Sequence, residues 1–412
     1  MAELNPDATP EDIGLDARRL RHWEGVLDAH VASGRYRGTL TVIFRGGRVG
    51  YVRAAGVRDA EAGRPVESDT IWRIYSMTKP ITSVAAMMLC EEGVLTLGDP
   101  VAKYIPAFAD ARVYSTGPAR MPVTEGARAP ITIWHLLTHT SGLTYRFHMR
   151  DPVDEIYRMA FQGGHEEPAP TLAAFCDRLA TLPLLFQPGS EWNYSNATDV
   201  LARVVEVASG QPFDRFLAER ILGPLGMTDT GYALAEADAG RLAALYAPDL
   251  QTGQARAVRG MDGSRTQPRS FHGGGHGLVS SAADYLRFAR MLLGRGQVDG
   301  VRILAPHTVD LMVANHLPGG VDVPAFARRS LFSDGLAGSG FGLGLSPVID
   351  PVAARLPVSR GAYTWGGAAG TDFWVDPAED LIALFFTQVL FAPDAAVLRR
   401  ELRWMVYSAL VG

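Results

Sequence analysis

Strand-like text sits at both ends of this chain, and a long helical, proline-rich stretch separates the two. Near the N-terminus, 15–33 carries Leu20, Trp23, Leu27 and His30 at helical spacing. Apolar runs at 39–44 and 49–52 flank Arg45-Gly46-Gly47-Arg48, a strand–turn–strand pattern. Another strand is expected over 70–75. From Ser76 the pattern turns helical through Ile81, Val84, Ala85, Met88 and Leu89, with a stop near Gly93. Pro80 fits that helix only if it begins close to Ser76, where N–H groups lack partners in any case. From 99 to about 247 helices and loops alternate; one helix is expected over 196–209, ended by Gly210, and another over 213–222. Ser281-Ala282-Ala283-Asp284 has the form of a capping box opening a helix over 285–293. Strands are expected again at 341–345, 362–365, 372–375 and 381–387, before a closing helix over 395–410. The simplest assembly is an α/β (α+β) fold. One antiparallel sheet is built from 1–98 and 248–412 and covered by the terminal helices, with 99–247 inserted as a mainly helical domain. A cleft between the two is the natural site.

Composition narrows the function. With 412 residues, 47% of them hydrophobic, the chain can build a sizeable core, as one large or two closely packed domains. A net charge of −5 and the absence of any Lys/Arg-rich run argue against nucleic acid or an acidic membrane surface as partner. No run of 18 apolar residues is present, so no membrane span is expected. Cys90 and Cys176 are isolated and make no disulfide framework. Residues 1–10 are polar and acidic, without the basic start or apolar stretch of a signal peptide. These features lead to the expectation of a soluble, cytoplasmic protein.

Of the 39 basic residues only Lys79 and Lys103 are lysine. Lys79 closes Ser76-Met77-Thr78-Lys79, and on a helix positions i and i+3 are neighbours, so the amine can reach the serine hydroxyl. A serine hydroxyl is a poor nucleophile until a base takes its proton. Lysine can be that base when its surroundings favour the neutral amine, whereas arginine stays protonated. With 19 serines and two lysines in the chain, chance yields about 0.1 such matches. A surface lysine on an ordinary amphipathic helix is the competing interpretation, and the apolar flanks speak against it.

Two weaker motifs follow. Tyr194-Ser195-Asn196 precedes a helix. The tyrosine can carry a proton and the asparagine can hold a lysine and a substrate carbonyl, or Ser195 or Asn196 can simply cap the helix. Trp365-Gly366-Gly367-Ala368 lies between strand-like runs, where glycines allow a ligand close to the backbone or mark a turn or bulge. Other chemistry is not supported. His135 and His139 are four apart but lack the glutamate of a zinc helix, and His272 and His276 flank Gly273-Gly274-Gly275, which forbids a stable helix. No metal or other cofactor is expected. The G-x-S-x-G elbow occurs at none of the serines.

Taken in order, these motifs resemble those of the serine β-lactamase and penicillin-binding-protein superfamily, and most of all class C β-lactamases and the related family VIII carboxylesterases. Further matching stretches are 135–143 (His-Leu-Leu-Thr-His-Thr-Ser-Gly-Leu), 221–227 (Ile-Leu-Gly-Pro-Leu-Gly-Met) and 274–280 (Gly-Gly-His-Gly-Leu-Val-Ser), and the likeness spans about 15–410. The resemblance implies Ser76 as nucleophile, Lys79 as its partner, Tyr194 as general base and acid with Asn196 nearby, and the backbone N–H groups of Ser76 and Ala368 as oxyanion donors. Tyr145 lines the pocket or belongs to the core. One departure bears on substrate: β-lactamases of this type have Lys-Thr-Gly where this chain has Trp365-Gly366-Gly367. An indole carries no charge for a β-lactam carboxylate. The expected activity is a serine carboxylesterase acting on short-chain, small-molecule acyl esters. A β-lactamase, a D-amino-acid peptidase and an acyltransferase are alternatives on the same scaffold, and a non-catalytic acyl-binding sensor is the alternative of a different class.

Overall fold

The computed structural model describes residues 4–161, 170–249, 251–258, 265–327 and 333–411. Nine strands matter here: β1 (Gly38–Arg45), β2 (Arg48–Asp59), β3 (Arg64–Pro65), β4 (Ile71–Arg73), β5 (Val279–Ser281), β6 (Ser346–Pro347), β7 (Tyr363–Gly366), β8 (Asp372–Asp376) and β9 (Leu381–Phe386). Seven of them form one antiparallel sheet in the order β6-β7-β8-β9-β1-β2-β3, so its centre pairs the last strand of the chain with the first. The register sets Val42 opposite Leu384 and Ile43 opposite Ala383. The other two, β4 and β5, pair with each other beside the site.

Side chains alternate across a strand, and both faces of the sheet are covered. On β9, Leu381, Ala383 and Phe385 join Ile43 and Trp374 in a core with Leu20 and Leu27 of α1 (Ala17–Ala32) and Leu398, Leu402 and Met405 of α5 (Ala395–Ala409). Ile382, Leu384 and Phe386 face the other way, into the larger core around α2 (Thr78–Glu91), α3 (Ala197–Ser209) and α4 (Ala282–Leu293). These strands therefore read as continuous apolar runs. Both terminal helices carry an apolar face for this core, and α1 is also capped. Asp16 accepts the N–H groups of Arg18 and Arg19 at the start of α1. Helix α2 is different: every residue from Thr78 to Leu89 is buried, Lys79 included. A helix this short of charge, with Lys79 its one charged side chain before Glu91, belongs inside a core. Pro80 sits in its first turn, where the missing N–H costs nothing.

Several expectations need correction. The stretch 341–345 is irregular, and only the two-residue β6 follows it. The reason is close packing: a side chain on Gly342 would meet Met312 O at 2.1 Å, and one on Gly344 would meet Ser83 Oγ at 1.9 Å. The glycines press this segment onto α2 instead of a neighbouring strand. The helix expected over 213–222 is α-helical only at Phe213–Leu217 and widens to a π-turn at Ala218–Leu222. Ser281 caps α4 by accepting Asp284 N at 3.4 Å, but Asp284 does not complete the box. Its carboxylate takes Asp229 N and Thr230 Oγ1 instead, tying that loop to the helix.

Gly344 also has φ +88°, a conformation L side chains rarely adopt. Gly344→Ala should destabilise the protein by about 2 kcal/mol or more, from overpacking and backbone strain together. Denaturant melts should show a lower midpoint at an unchanged slope; an unchanged midpoint would contradict this packing.

Candidate active site

The site is built where β4 runs into α2. Ile74 N donates to Leu278 O, and the chain then turns sharply at Tyr75, whose φ of +43° is left-handed. Such a non-glycine residue costs about 1–3 kcal/mol and persists only when its surroundings enforce it. A short 3₁₀ turn, Tyr75–Met77, joins this corner to the helix. Its bonds run from Met77 N to Ile74 O and from Thr78 N to Tyr75 O, so the turn itself provides no acceptor for the N–H of Ser76. Tyr285 OH donates to Met77 O and pins the turn from α4. Ser76 opens into a cleft of about 90 Å³.

Lys79, one helical turn on, is 1% exposed. Its Nζ lies 3.2 Å from Ser76 Oγ, 3.1 Å from Tyr145 Oη and 2.7 Å from Gly275 O. Among the described residues no carboxylate is within 4.0 Å of it. Its charged form is stabilised by aromatic faces instead: Nζ sits 4.6 Å from the centroid of the Tyr194 ring and 5.5 Å from that of Tyr145. This arrangement holds an amine at a hydroxyl, with a third polar group in line, and can move a proton along it.

Gly275 reaches Lys79 because it has no side chain. A Cβ there would lie 2.9 Å from Asp199 Oδ2 and 3.1 Å from Tyr145 Oη. Its neighbour Gly274 is as confined: a Cβ on it would lie 2.4 Å from Thr198 O, and its carbonyl accepts Thr82 Oγ1 of α2. Asp199 on α3 is fully buried, and its Oδ1 accepts Gly275 N at 2.8 Å. His276 Nδ1 stands 3.8 Å from the same oxygen and its side chain reaches the cleft. The triple glycine, which the sequence marks as a helix breaker, thus threads the chain between α2 and α3. Its signal in the sequence was the close backbone approach that such a run permits.

The remaining candidate residues divide into two groups. Ser76, Tyr145, Asn196 and Ala368 line the cleft. Tyr194, Trp365, Gly366 and Gly367 do not. The Tyr194 ring stands behind Lys79, tilted against Tyr145 at 5.3 Å, and Trp365 packs behind it in turn, 5.4 Å from Tyr194 and 5.3 Å from Phe341. The indole N–H of Trp365 is buried without a partner among the described residues. Gly367 instead allows a close approach of backbone to backbone: a Cβ there would be 2.5 Å from Ile74 O. That closeness brings Ala368 to the corner that carries Ser76, and Arg399 Nη2 fixes the loop through Gly367 O. Asn196 does not cap α3 with its side chain. Its Nδ2 donates to Thr144 O, while Ser195 Oγ accepts Ala197 N.

His135 completes a capping box with Thr132, and His139 is buried against Tyr194, Trp192 and Phe341, its charged form disfavoured by burial. Among the described residues no three His, Cys, Asp or Glu side chains gather as metal ligands, and no helix is long and apolar enough to cross a membrane. The outer cleft was not foreseen: Phe147, Phe161, Phe175 and Phe391 form its walls, with Arg146 beside them.

Comparison with known proteins agrees with this geometry. The β-lactamase family model matches residues 23–405. The chain belongs to the β-lactamase family. It is 41% identical over 369 residues to protein Rv1367c of Mycobacterium tuberculosis, covering 89% of this chain and 88% of that one. It is 34% identical over 428 residues to esterase EstB of Burkholderia gladioli, covering 99% of each. Among solved structures, EstCE1, described as a hydrolase with promiscuous acyltransferase activity, superposes with a TM-score of 0.78 at 30% identity, over 95% of this chain and 98% of that one. Fold and family together make the chain a serine hydrolase of β-lactamase fold.

Gly275→Ala tests the geometry around Lys79. The added methyl group has no free space between Asp199 and Tyr145, so the carbonyl must shift. Displacements near 1 Å in a reacting constellation cost about a hundredfold. Ester turnover should fall at least tenfold with circular dichroism unchanged; full turnover would show that Gly275 O does not position the amine.

Proposed function

We propose that this protein is a carboxylic ester hydrolase that forms a covalent acyl-serine at Ser76 and acts on small, short-chain acyl esters. The observation that carries this reading is the buried Lys79 amine 3.2 Å from Ser76 Oγ, at the edge of a cleft shared with Ala368. As a neutral amine, Lys79 keeps two N–H bonds, to Gly275 O and Tyr145 Oη, and points its lone pair at the serine hydroxyl. It takes the proton as Oγ attacks the ester carbonyl. The N–H groups of Ser76 and Ala368 receive the negative charge that develops on the carbonyl oxygen. Tyr194, its ring 4.6 Å from Nζ, completes the proton-handling set, and Asn196 orients the substrate. Water then repeats the attack on the acyl-serine.

An ester is favoured over a β-lactam for two reasons. The cleft walls are mainly phenylalanine, which suits neutral acyl and alkoxy groups. A cleaved β-lactam stays attached as one bulky group over the serine, where it shields the bond from water. The indole of Trp365 is not part of this argument, because it stands behind Tyr194. Arg146 could meet a carboxylate, so β-lactams remain the informative comparison. Acyl transfer to an alcohol other than water is a second reading, supported by the activity in the description of EstCE1.

Lys79→Arg keeps the charge but removes the group that can accept a proton, and the guanidinium exceeds the space beside three oxygens. It should lower kcat on p-nitrophenyl acetate by about 10²–10⁴-fold, as Lys79→Ala should, on the scale of acid–base catalysis. More than a tenth of the parent kcat in the arginine variant would remove Lys79 as base. In the parent enzyme, kcat/KM for p-nitrophenyl butyrate should exceed that for nitrocefin by orders of magnitude, with many turnovers after any burst. Comparable efficiency would identify a β-lactamase, and a single equivalent of product would identify a sensor.

A further inference from the structure

We infer that Phe391 is a specificity-determining residue that binds an aromatic ring on the alcohol part of the ester. This rests on the acyl-serine reading above and narrows its substrate class to short-chain acyl esters of arylalkyl alcohols. A short acyl group stays close to Ser76. What covers the outer cleft must therefore come with the alcohol.

Both the backbone and the side chain of Phe391 are costly where they stand. Its φ of +52° is left-handed, a conformation that a bulky residue adopts only under constraint. Among the described residues, Tyr75 and Phe391 are the left-handed non-glycines that line the cleft. Tyr75 turns the chain into α2. Phe391 lies on the way from β9 to α5, at a corner that glycine or asparagine would form with less strain. Packing does not repay the strain, because the residue is 46% exposed. Three successive N–H groups enforce the corner: Val389 N donates to Ala369 O at 2.9 Å, Leu390 N to Tyr246 O at 2.7 Å and Phe391 N to Ala368 O at 2.8 Å. Strain held this firmly beside a site points to a use in the site.

The surroundings of the ring indicate what it takes. Phe391 lines the same cleft as Ser76, and its N–H holds the carbonyl of Ala368, whose own N–H is the oxyanion donor proposed above. The ring is therefore anchored to the reacting end of the cleft while half of the residue still faces solvent. Phe147 meets it at 5.7 Å and is tilted by 50°, and Phe147 is itself stacked on Tyr145 at 4.6 Å. An exposed ring beside a fixed, tilted one offers a flat group a face to stack on and an edge to meet, the two geometries that aromatic pairs prefer. A substrate ring placed there also removes apolar surface of Phe391 from water.

Acetates of different alcohols test this with the acyl group held constant. In the parent enzyme, kcat/KM for 2-phenylethyl acetate should exceed that for ethyl acetate by about tenfold or more, the scale on which apolar pockets discriminate. The saturated 2-cyclohexylethyl acetate should be the poorer of the two ring substrates, and ethyl phenylacetate, with its ring on the acyl side, should show no such advantage. Phe391→Asn removes the ring and keeps a residue that tolerates the corner. It should bring the phenylethyl-to-ethyl ratio down toward one, mainly through a higher KM for the aryl ester, and its denaturation midpoint should be at or above that of the parent. Equal efficiency on the phenyl and cyclohexyl esters would overturn the inference, as would a preference for the ring on the acyl side only. So would an unchanged ratio in Phe391→Asn with kcat lowered on both esters, which is the result if the residue only props Ala368, or a lowered midpoint, which is the result if the ring serves packing. The acyl-serine reading fails separately: turnover of ethyl acetate without any ring preference removes only the role of Phe391, whereas turnover of these esters that survives in Ser76→Ala removes the acyl-serine itself.

Discussion

A single amine buried at a hydroxyl sets the terms for the rest of this molecule. Taking a charge out of water is expensive, and Lys79 has no carboxylate of the described residues in contact to offset it. What it has is three oxygens at 2.7–3.2 Å and two aromatic faces. Such partners stabilise an ammonium less than an ion pair does, and they fit the neutral amine as well. An ion pair at this place would lock the charge on.

Holding that arrangement explains otherwise odd features of the sequence. Helix α2 is buried around its whole circumference from Thr78 to Leu89 because it must carry the amine into the core. Gly274 and Gly275 are glycine because the backbone that supplies the third oxygen runs between α2 and α3 with no room for a Cβ. Asp199, deep in α3, holds that backbone by its N–H. Gly367 lets the loop after β7 touch the backbone of Ile74, so that Ala368 and Ser76, nearly three hundred residues apart, face one cleft. The sheet makes this meeting possible by pairing the chain's first strand with its last. The strained corner at Tyr75 turns the chain from strand to helix between these constraints.

The Ser76–Lys79 pair was legible because helical spacing alone predicts that contact, and lysine is rare in this chain. The sheet was legible because runs such as 381–386 are apolar without a break, as strands covered on both faces must be. Residues 341–345 look the same in one dimension, yet Gly342 and Gly344 commit them to packing against Met312 and Ser83, and no local pattern reveals those neighbours. The same limit applies at the site. Asp199 and Gly275 are linked by a long-range bond with no periodicity behind it. Tyr145 could be read as lining or core, and only its distance to Lys79 distinguishes it. Trp365 was expected to face a substrate carboxylate, but the strand end turns its indole onto Tyr194 and leaves the cleft to phenylalanines from distant loops.

The account rests on a covalent intermediate at one serine, and peptide mapping of the acid-quenched enzyme reads it most directly. After mixing with excess p-nitrophenyl butyrate and quenching during turnover, digestion should yield a single butyrylated peptide, with the added mass on Ser76. The adduct should be absent from Lys79→Arg quenched at the same time, because the attacking hydroxyl keeps its proton. Acylation of any other residue, or turnover with no acylated peptide, would contradict the account.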